Sequence, residues 1–286
     1  MLIEQLLSFF FKKKAKRLFI SHHVFGDSPV LHYMKSFWPP SPNDKYLTFA
    51  VRAVSLAYLS SEVRSPDVLQ QARKTYGSAL ALTNKALHSQ DIALKNGTLL
   101  TVLLLDLFEN LTNDEPTSTA SATKHLDGAL ALLKLRGNAQ FQDAVSLAMF
   151  QHLSSSLIPS CLERGIAIPK VYLRFRSQAA RFVDTNDPDW RLSDLMIQLA
   201  KLRASLKESK PASTQAIATA QYLDLEFLDI NNTMPQSSDL KTRSSQSPSS
   251  ENSDNRPSQA VDRERNLRLV RALLDETLSK LSPDPA

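Results

Sequence analysis

Apolar side chains recur at helical spacing through most of the chain. Residues 2–19 read as a first helix, apolar in front (Leu2, Ile3, Leu6, Leu7, Phe10) and basic behind. Residues 21–44 are irregular, with turn signals at His22-His23, Gly26-Asp27-Ser28-Pro29 and Pro39-Pro40-Ser41-Pro42. A helix follows from about Asp44 to Val63, nearly continuous in its apolar positions Phe49, Val51, Ala53, Leu56 and Leu59. The next one starts with Ser65 as N-cap, Pro66 at the first helical position and Asp67 complementing the dipole. Leu69, Ala72, Tyr76, Ala79 and Ala86 then share one face. Asn96-Gly97 interrupts the pattern, and Thr98 caps a segment in which 9 of the 14 residues to Leu111 are apolar. A helix apolar on nearly all sides belongs at the centre of a bundle. Its length, with Asp106 and Glu109 inside it, marks it as core and not as a membrane span.

Thr112 to Ser121 form a polar loop. A helix from about Ala122 to Arg136 ends at Gly137, with Lys134 and Arg136 in its last turn. Phe141–Ile158 and Leu162–Ile168 read as further helical pieces, stopped by Pro169. Asp187-Pro188-Asp189-Trp190 opens another helix, in which Leu192, Leu195, Leu199, Leu202 and Leu206 follow at intervals of 3, 4, 3 and 4. Such a seam must face another helix, and it is the first candidate for a docking face. Residues 212–230 make one more helix. Residues 235–260 contain a single apolar side chain of any size, Leu240, too little to offset the entropy of ordering. A last amphipathic helix carries Leu267, Val270, Leu274, Leu278 and Leu281. The expected fold is all-α, an irregular multi-helix bundle with a disordered linker and a C-terminal amphipathic helix. Its divisions are 1–44 (N-terminal helix and loop with a basic run), 45–232 (helical domain), 233–260 (disordered Ser/Pro-rich linker) and 261–286 (C-terminal helix).

Composition sharpens this picture at three points. Only 6 glycines occur in 286 residues, about a third of the usual share. Nucleotide-binding α/β folds spend glycine on phosphate loops and tight strand–helix turns, so the scarcity argues against them. The single cysteine, Cys161, cannot make a disulfide framework or a thiolate metal site within one chain, and a reducing intracellular compartment is the simplest reading. The start has no basic region before its apolar stretch and no small-residue cleavage site, the wrong order for a secretory signal. The Asn-x-Thr triplets at Asn96, Asn110 and Asn231 then read as chance. The formal charge of +5 is concentrated: residues 1–20 carry Lys12, Lys13, Lys14, Lys16 and Arg17 against Glu4, an excess of +4. A folded nucleic-acid-reading face should show a broader excess.

Candidate chemistry is sparse. His22-His23 with Asp27 is the nearest thing to a ligand cluster, but adjacent residues point apart and no second histidine motif follows. Asp184-x-x-Asp187-x-Asp189 invites comparison with a divalent-cation diphosphate motif, yet its usual second site is missing, so helix capping explains it better. Cys161 lies between apolar segments and reads as an inert buried thiol. Catalytic, cofactor and metal sites are therefore not expected. The run Lys12, Lys13, Lys14, Lys16, Arg17 reads either as the solvated end of a helix or as a nuclear import signal.

AVRAVSLAYLS, RKTYGSALALTNKAL, TLLTVLLLDLFENL and KHLDGALALLKLRG, between Leu47 and Gly137, closely resemble the fungal-specific transcription factor domain. The most telling piece holds His125, Gly128, Leu132, Leu133, Arg136 and Gly137. Gly128 would let a neighbouring helix approach, Leu132 and Leu133 would fill the core, and Gly137 would end the helix. Weaker matches lie at 188–206 and 265–278. In that family the helical region follows a Zn2Cys6 DNA-binding cluster and a linker, so the resemblance implies that 45–232 is regulatory. The six-cysteine signature has no counterpart here, and relatives usually continue through further helices, so a shortened paralogue and a truncated gene model of a full DNA-binding regulator both remain readings. The resemblance implies a transcription-regulating protein of the nucleus, or otherwise of the cytoplasm. It would act through protein partners, as a homo- or hetero-dimer, or through a small-molecule effector, without sequence-specific DNA binding of its own and without a membrane. The rivals are an all-helical scaffold with no transcriptional role and an enzyme with a helical core.

Overall fold

The computed structural model describes residues 14–21, 23–24, 31–112, 119–208, 214–234 and 256–281. The fold is an all-α multi-helix bundle, and no β-strand forms among the described residues. The helices are α1 (14–21), α2 (Lys45–Val63), α3 (Pro66–Leu87), α4 (Gln90–Ala93), α5 (Asn96–Thr112), α6 (Thr119–Arg136), α7 (Ala144–Arg164), α8 (Lys170–Ala179), α9 (Pro188–Glu208), α10 (Thr214–Thr233) and α11 (Arg256–Leu281). Three short 3₁₀ turns, His32–Phe37, Asn138–Gln142 and Ala180–Phe182, join them. None of the described helices is long and apolar enough to cross a membrane. The chain divides into two compact units, Met1–Leu153 and Ser154–Ala286.

In the first unit α5 packs against α2, α3 and α6. Its apolar run explains that place: Leu99, Leu100, Leu103, Leu104 and Leu105 are all buried. Alanines make the close approaches, with Ala50, Ala53 and Ala57 buried on α2 and Ala72 and Ala79 on α3. The α2–α3 corner is made by Arg64 in the left-handed region (φ 49°), then by Ser65, whose hydroxyl accepts from the Val68 N–H at 3.5 Å, with Pro66 beginning the helix. Ahead of them, Ala15, Phe19 and Ile20 of α1 are buried, and the Phe19 ring meets Tyr58 of α2 edge-on at 6.3 Å.

The second unit holds α8 to α11. The leucine seam of α9 does face helices, but they are the chain's own: Leu192, Leu195, Leu199 and Leu202 are buried, and α10 and α11 pack on α9. The seam is occupied, so it is not a docking face. Arginine–carboxylate pairs fasten the same packing. Arg263 donates to both oxygens of Asp189 (2.7 and 2.5 Å), Arg203 to Glu276 at 2.9 Å, and Arg271 to Asp224 at 2.6 Å.

Helices α7 and α8 depart from the sequence reading. The pieces expected at 141–158 and 162–168 are one helix, α7, which runs through Pro159 and ends at Arg164. A proline inside a helix forfeits one hydrogen bond and crowds the preceding turn; here the helix continues past it. The stop is Gly165 (φ +57°): the Ile166 N–H bonds Cys161 O and the Gly165 N–H bonds Leu162 O, each at 3.0 Å, the double bond of a Schellman end. Helix α8, not anticipated, follows Pro169 directly. The polar stretch 235–255 lies outside the described residues, and α11 begins at Arg256.

Candidate functional site

The motif residues of α6 fall on two polar joints. His125 Nε2 lies 2.8 Å from Tyr76 Oη of α3 and 3.2 Å from Glu109 Oε1 of α5, while the Tyr76 hydroxyl donates to the same Glu109 oxygen at 2.5 Å. Phe108 stacks on the Tyr76 ring at 4.4 Å. Burial, then the bond to Glu109 and the charges of Glu109 and Asp106, push the Tyr76 phenol well above its ordinary pKa. Three helices are thus pinned by one closed set of hydrogen bonds. At the other end of α6, Arg136 donates to Asn96 Oδ1 and, at 3.0 Å, to Ser146 Oγ. Asp143 completes that joint: it caps α7 by accepting from the Val145 and Ser146 N–H groups, and it takes the Ser146 hydroxyl (2.6 Å) and the Asn96 amide (3.2 Å). These bonds hold the Asp143 carboxyl below its usual range, the Ser146 hydroxyl first among them. Burial in turn lowers the Arg136 guanidinium, against the pull of Asp143.

Leu132 and Leu133 between these joints are buried. Gly137 has φ +67° and ψ −163°, backbone that side chains reject. Gly128 is different. A Cβ built there would lie 3.9 Å from Val102 Cγ1, ordinary contact, so the expected close approach does not require glycine. The arrangement fixes helices to one another.

Other candidates fall into place singly. His22 and Asp27 lie outside the described residues, and His23 packs its ring on Phe19 (5.0 Å) and Tyr58 (4.8 Å). Asp184 accepts from the Asn186 N–H at 2.9 Å, Asp187 accepts from the N–H groups of Asp189 and Trp190 at the start of α9, and Asp189 pairs with Arg263. The acidic stretch therefore serves turn, cap and ion pair. Cys161 is buried. Among the described residues no group of three or more His, Cys, Asp or Glu side chains is placed to hold a metal ion. Of the basic run, Lys12 and Lys13 lie outside the described residues, while Lys14, Lys16 and Arg17 are exposed on α1.

One surface stands apart from the sequence expectations. Helix α10 buries Ala220, Leu223, Phe227 and Ile230, yet its opposite side exposes Tyr222 (56%), Leu225 (67%) and Leu228 (46%). The spacing of three residues sets them along one outward stripe. Asp224, Glu226 and Asp229 flank it, and α10 carries no Lys or Arg. The signal was visible in YLDLEFLD, where apolar residues outnumber what a single buried face needs.

A family model described as "Fungal specific transcription factor domain" matches residues 5–163, more than half of the 286. Neither a curated protein nor a solved structure matches significantly.

Proposed function

The chain belongs to the fungal-specific transcription factor domain family, and from that premise we propose that it regulates transcription in the nucleus by docking a partner protein on helix α10. The carrying observation is the exposed Tyr222–Leu225–Leu228 stripe with its acidic border. Soluble proteins rarely leave several large apolar side chains together on one helical face without a use for them. A convex helical face cannot enclose a small effector, but it fits the apolar groove of another protein, read by anchors at helical spacing. Arg191 pairs with Asp229 and Glu226 (2.8 and 3.2 Å) and Arg271 with Asp224 (2.6 Å), so the flanking carboxylates are already neutralised and the apolar anchors carry the recognition.

The test joins the whole chain to an unrelated sequence-specific DNA-binding module and reads a reporter gene in fungal cells. The fusion should change reporter output, and Leu225→Lys should return it toward the level of the module alone at equal protein abundance. A fusion that leaves transcription at the module's level, or a Leu225→Lys variant as active as the parent, would refute the reading.

A further inference from the structure

The chain's whole positive excess lies in its first 52 residues. Eight Lys and Arg stand there against Glu4, Asp27 and Asp44, a balance of +5, equal to that of the full chain, so the remaining residues sum to zero. The fold gathers part of this excess onto one surface. Lys14, Lys16 and Arg17 are exposed on α1, whose Ala15, Phe19 and Ile20 are buried. This stretch of the basic run is therefore anchored in the bundle and does not hang free as a peptide. Lys16 Nζ lies 4.3 Å above the Trp38 ring. From α2, 36 residues on (52 − 16), Arg52 comes close enough to Lys16 to disfavour its charge, a second cause after burial of that ammonium's lowered pKa. Lys45 shares the Arg52 face of α2, seven residues before it, with Phe49 between them and the Arg52 guanidinium 5.4 Å from that ring. No carboxylate among the described residues pairs with Lys14, Lys16, Arg17, Lys45 or Arg52.

The nearby Arg52 disfavours the charged form of Lys16 unless a counter-charge arrives. We propose that this composite surface of α1 and α2 binds the phosphate backbone of duplex nucleic acid without regard to sequence. The geometry suits a polyphosphate rather than one anion. Lys45 and Arg52 stand about 10 Å apart along their helix, roughly three base-pair steps of one strand, and Lys16 of α1 adds a third cation beside Arg52. Nothing on the surface is built to read base edges, which needs polar side chains reaching into a groove. Its role would be to hold a partner-recruiting protein close to DNA. It rests on the charge arrangement alone, independent of α10.

The experiment measures anisotropy of a labelled 20-base-pair duplex with the full chain between 50 and 200 mM salt. With about three phosphate contacts the affinity should fall roughly fortyfold across that range, and scrambling the duplex should not matter. Lys16→Gln/Arg52→Gln should weaken binding at least tenfold at 50 mM salt and reduce the log–log salt slope by about two. Its melting midpoint should be unchanged or higher, because a like-charge contact has been removed. Lys45→Gln, exposed on α2, gives an independent variant should the first disturb the fold. Lys170→Gln/Lys201→Gln, in the second unit, should change neither affinity nor slope. No binding at 50 mM salt, or binding untouched by both the Lys16→Gln/Arg52→Gln and the Lys45→Gln variants, overturns the proposal. So does tighter binding to phosphatidylserine vesicles than to the duplex, which would make the surface a membrane face instead.

Discussion

At Gly137 and Gly128, two glycines of one motif carry opposite expectations. Gly137 sits at φ +67° and ψ −163°, a region that costs a side chain on the order of 1–3 kcal/mol. Gly137→Ala should lose that much in urea unfolding. Gly128 lies inside α6 with room for a methyl group, so Gly128→Ala should gain about 0.5–1 kcal/mol. Equal effects in the two variants would contradict the backbone geometry. A second residue-scale expectation concerns pH. The His152 ring bonds Tyr33 Oη at 2.6 Å, and burial lowers its pKa to about 4. Its folded value is below the unfolded one, so the neutral ring's contribution is complete above about pH 6.5 and is lost as pH falls toward 4. The full window is worth at most about 3 kcal/mol, less because the ring keeps some solvent contact. Melting midpoints recorded from pH 7 to 4 should fall, and Tyr33→Phe/His152→Leu should flatten part of that fall. A double variant as steeply acid-sensitive as the parent would remove His152 from the account. The end of the α6 motif was legible because Gly137 speaks locally. The partners of His125 were not: Tyr76 and Glu109 come from 49 and 16 residues away, and no local pattern announces a long-range polar bond.

Among the elements, α5 and α10 separate burial from patterning. Leu104 is fully enclosed at the centre of the first unit, while Leu225 is among the most exposed apolar residues. An unpaired carboxylate at Leu104 costs several kcal/mol, on the order of total stability. Leu104→Asp should therefore abolish the cooperative melt seen by circular dichroism, whereas Leu225→Asp should shift stability by no more than about 0.5 kcal/mol. Similar melts would mean that α5 is not the core. Periodicity found α2, α3, α5, α6 and α9 because each presents a long, regular apolar face. It missed α8, whose short, basic sequence KVYLRFRSQA hides Tyr172 and Phe175 among cations. Arg176 shows why those cations are tolerated: its guanidinium stacks 3.7 Å from the Trp190 ring and donates to Asp194 at 2.8 Å. Both partners lie in the next helix, beyond the reach of a local window. The α9 seam was read correctly as needing a helix but assigned to a foreign one, because spacing alone does not say whose helix fills it.

For the molecule as a whole, the second unit is closed by a helix that arrives last. Helix α11 lies against α9 and α10, with Val270, Leu274 and Leu281 buried and Thr277 bonded to Arg203. Helices α9, α10 and α11 pack on one another, so this unit's core is shared between segments on either side of the polar stretch 235–255. Surface ion pairs such as Arg271–Asp224 add little singly; the apolar contact carries the association, and the pairs fix its register. Cutting the chain within 235–255 removes no contact among the described residues and only lowers the local concentration of α11. A chain ending at residue 234 should therefore lose the cooperative melting of its second unit and expose apolar surface to a hydrophobic dye. Adding a peptide of residues 256–286 should restore the melt in a concentration-dependent way, because a ligand of the folded form stabilises by mass action. The same peptide with Leu274→Asp should fail, since the charge would enter the buried seam unpaired. Full stability of the shortened chain by itself would show that α9 and α10 form a sufficient core and that α11 is an appendage; rescue by the Leu274→Asp peptide would show that its contact is electrostatic and not apolar.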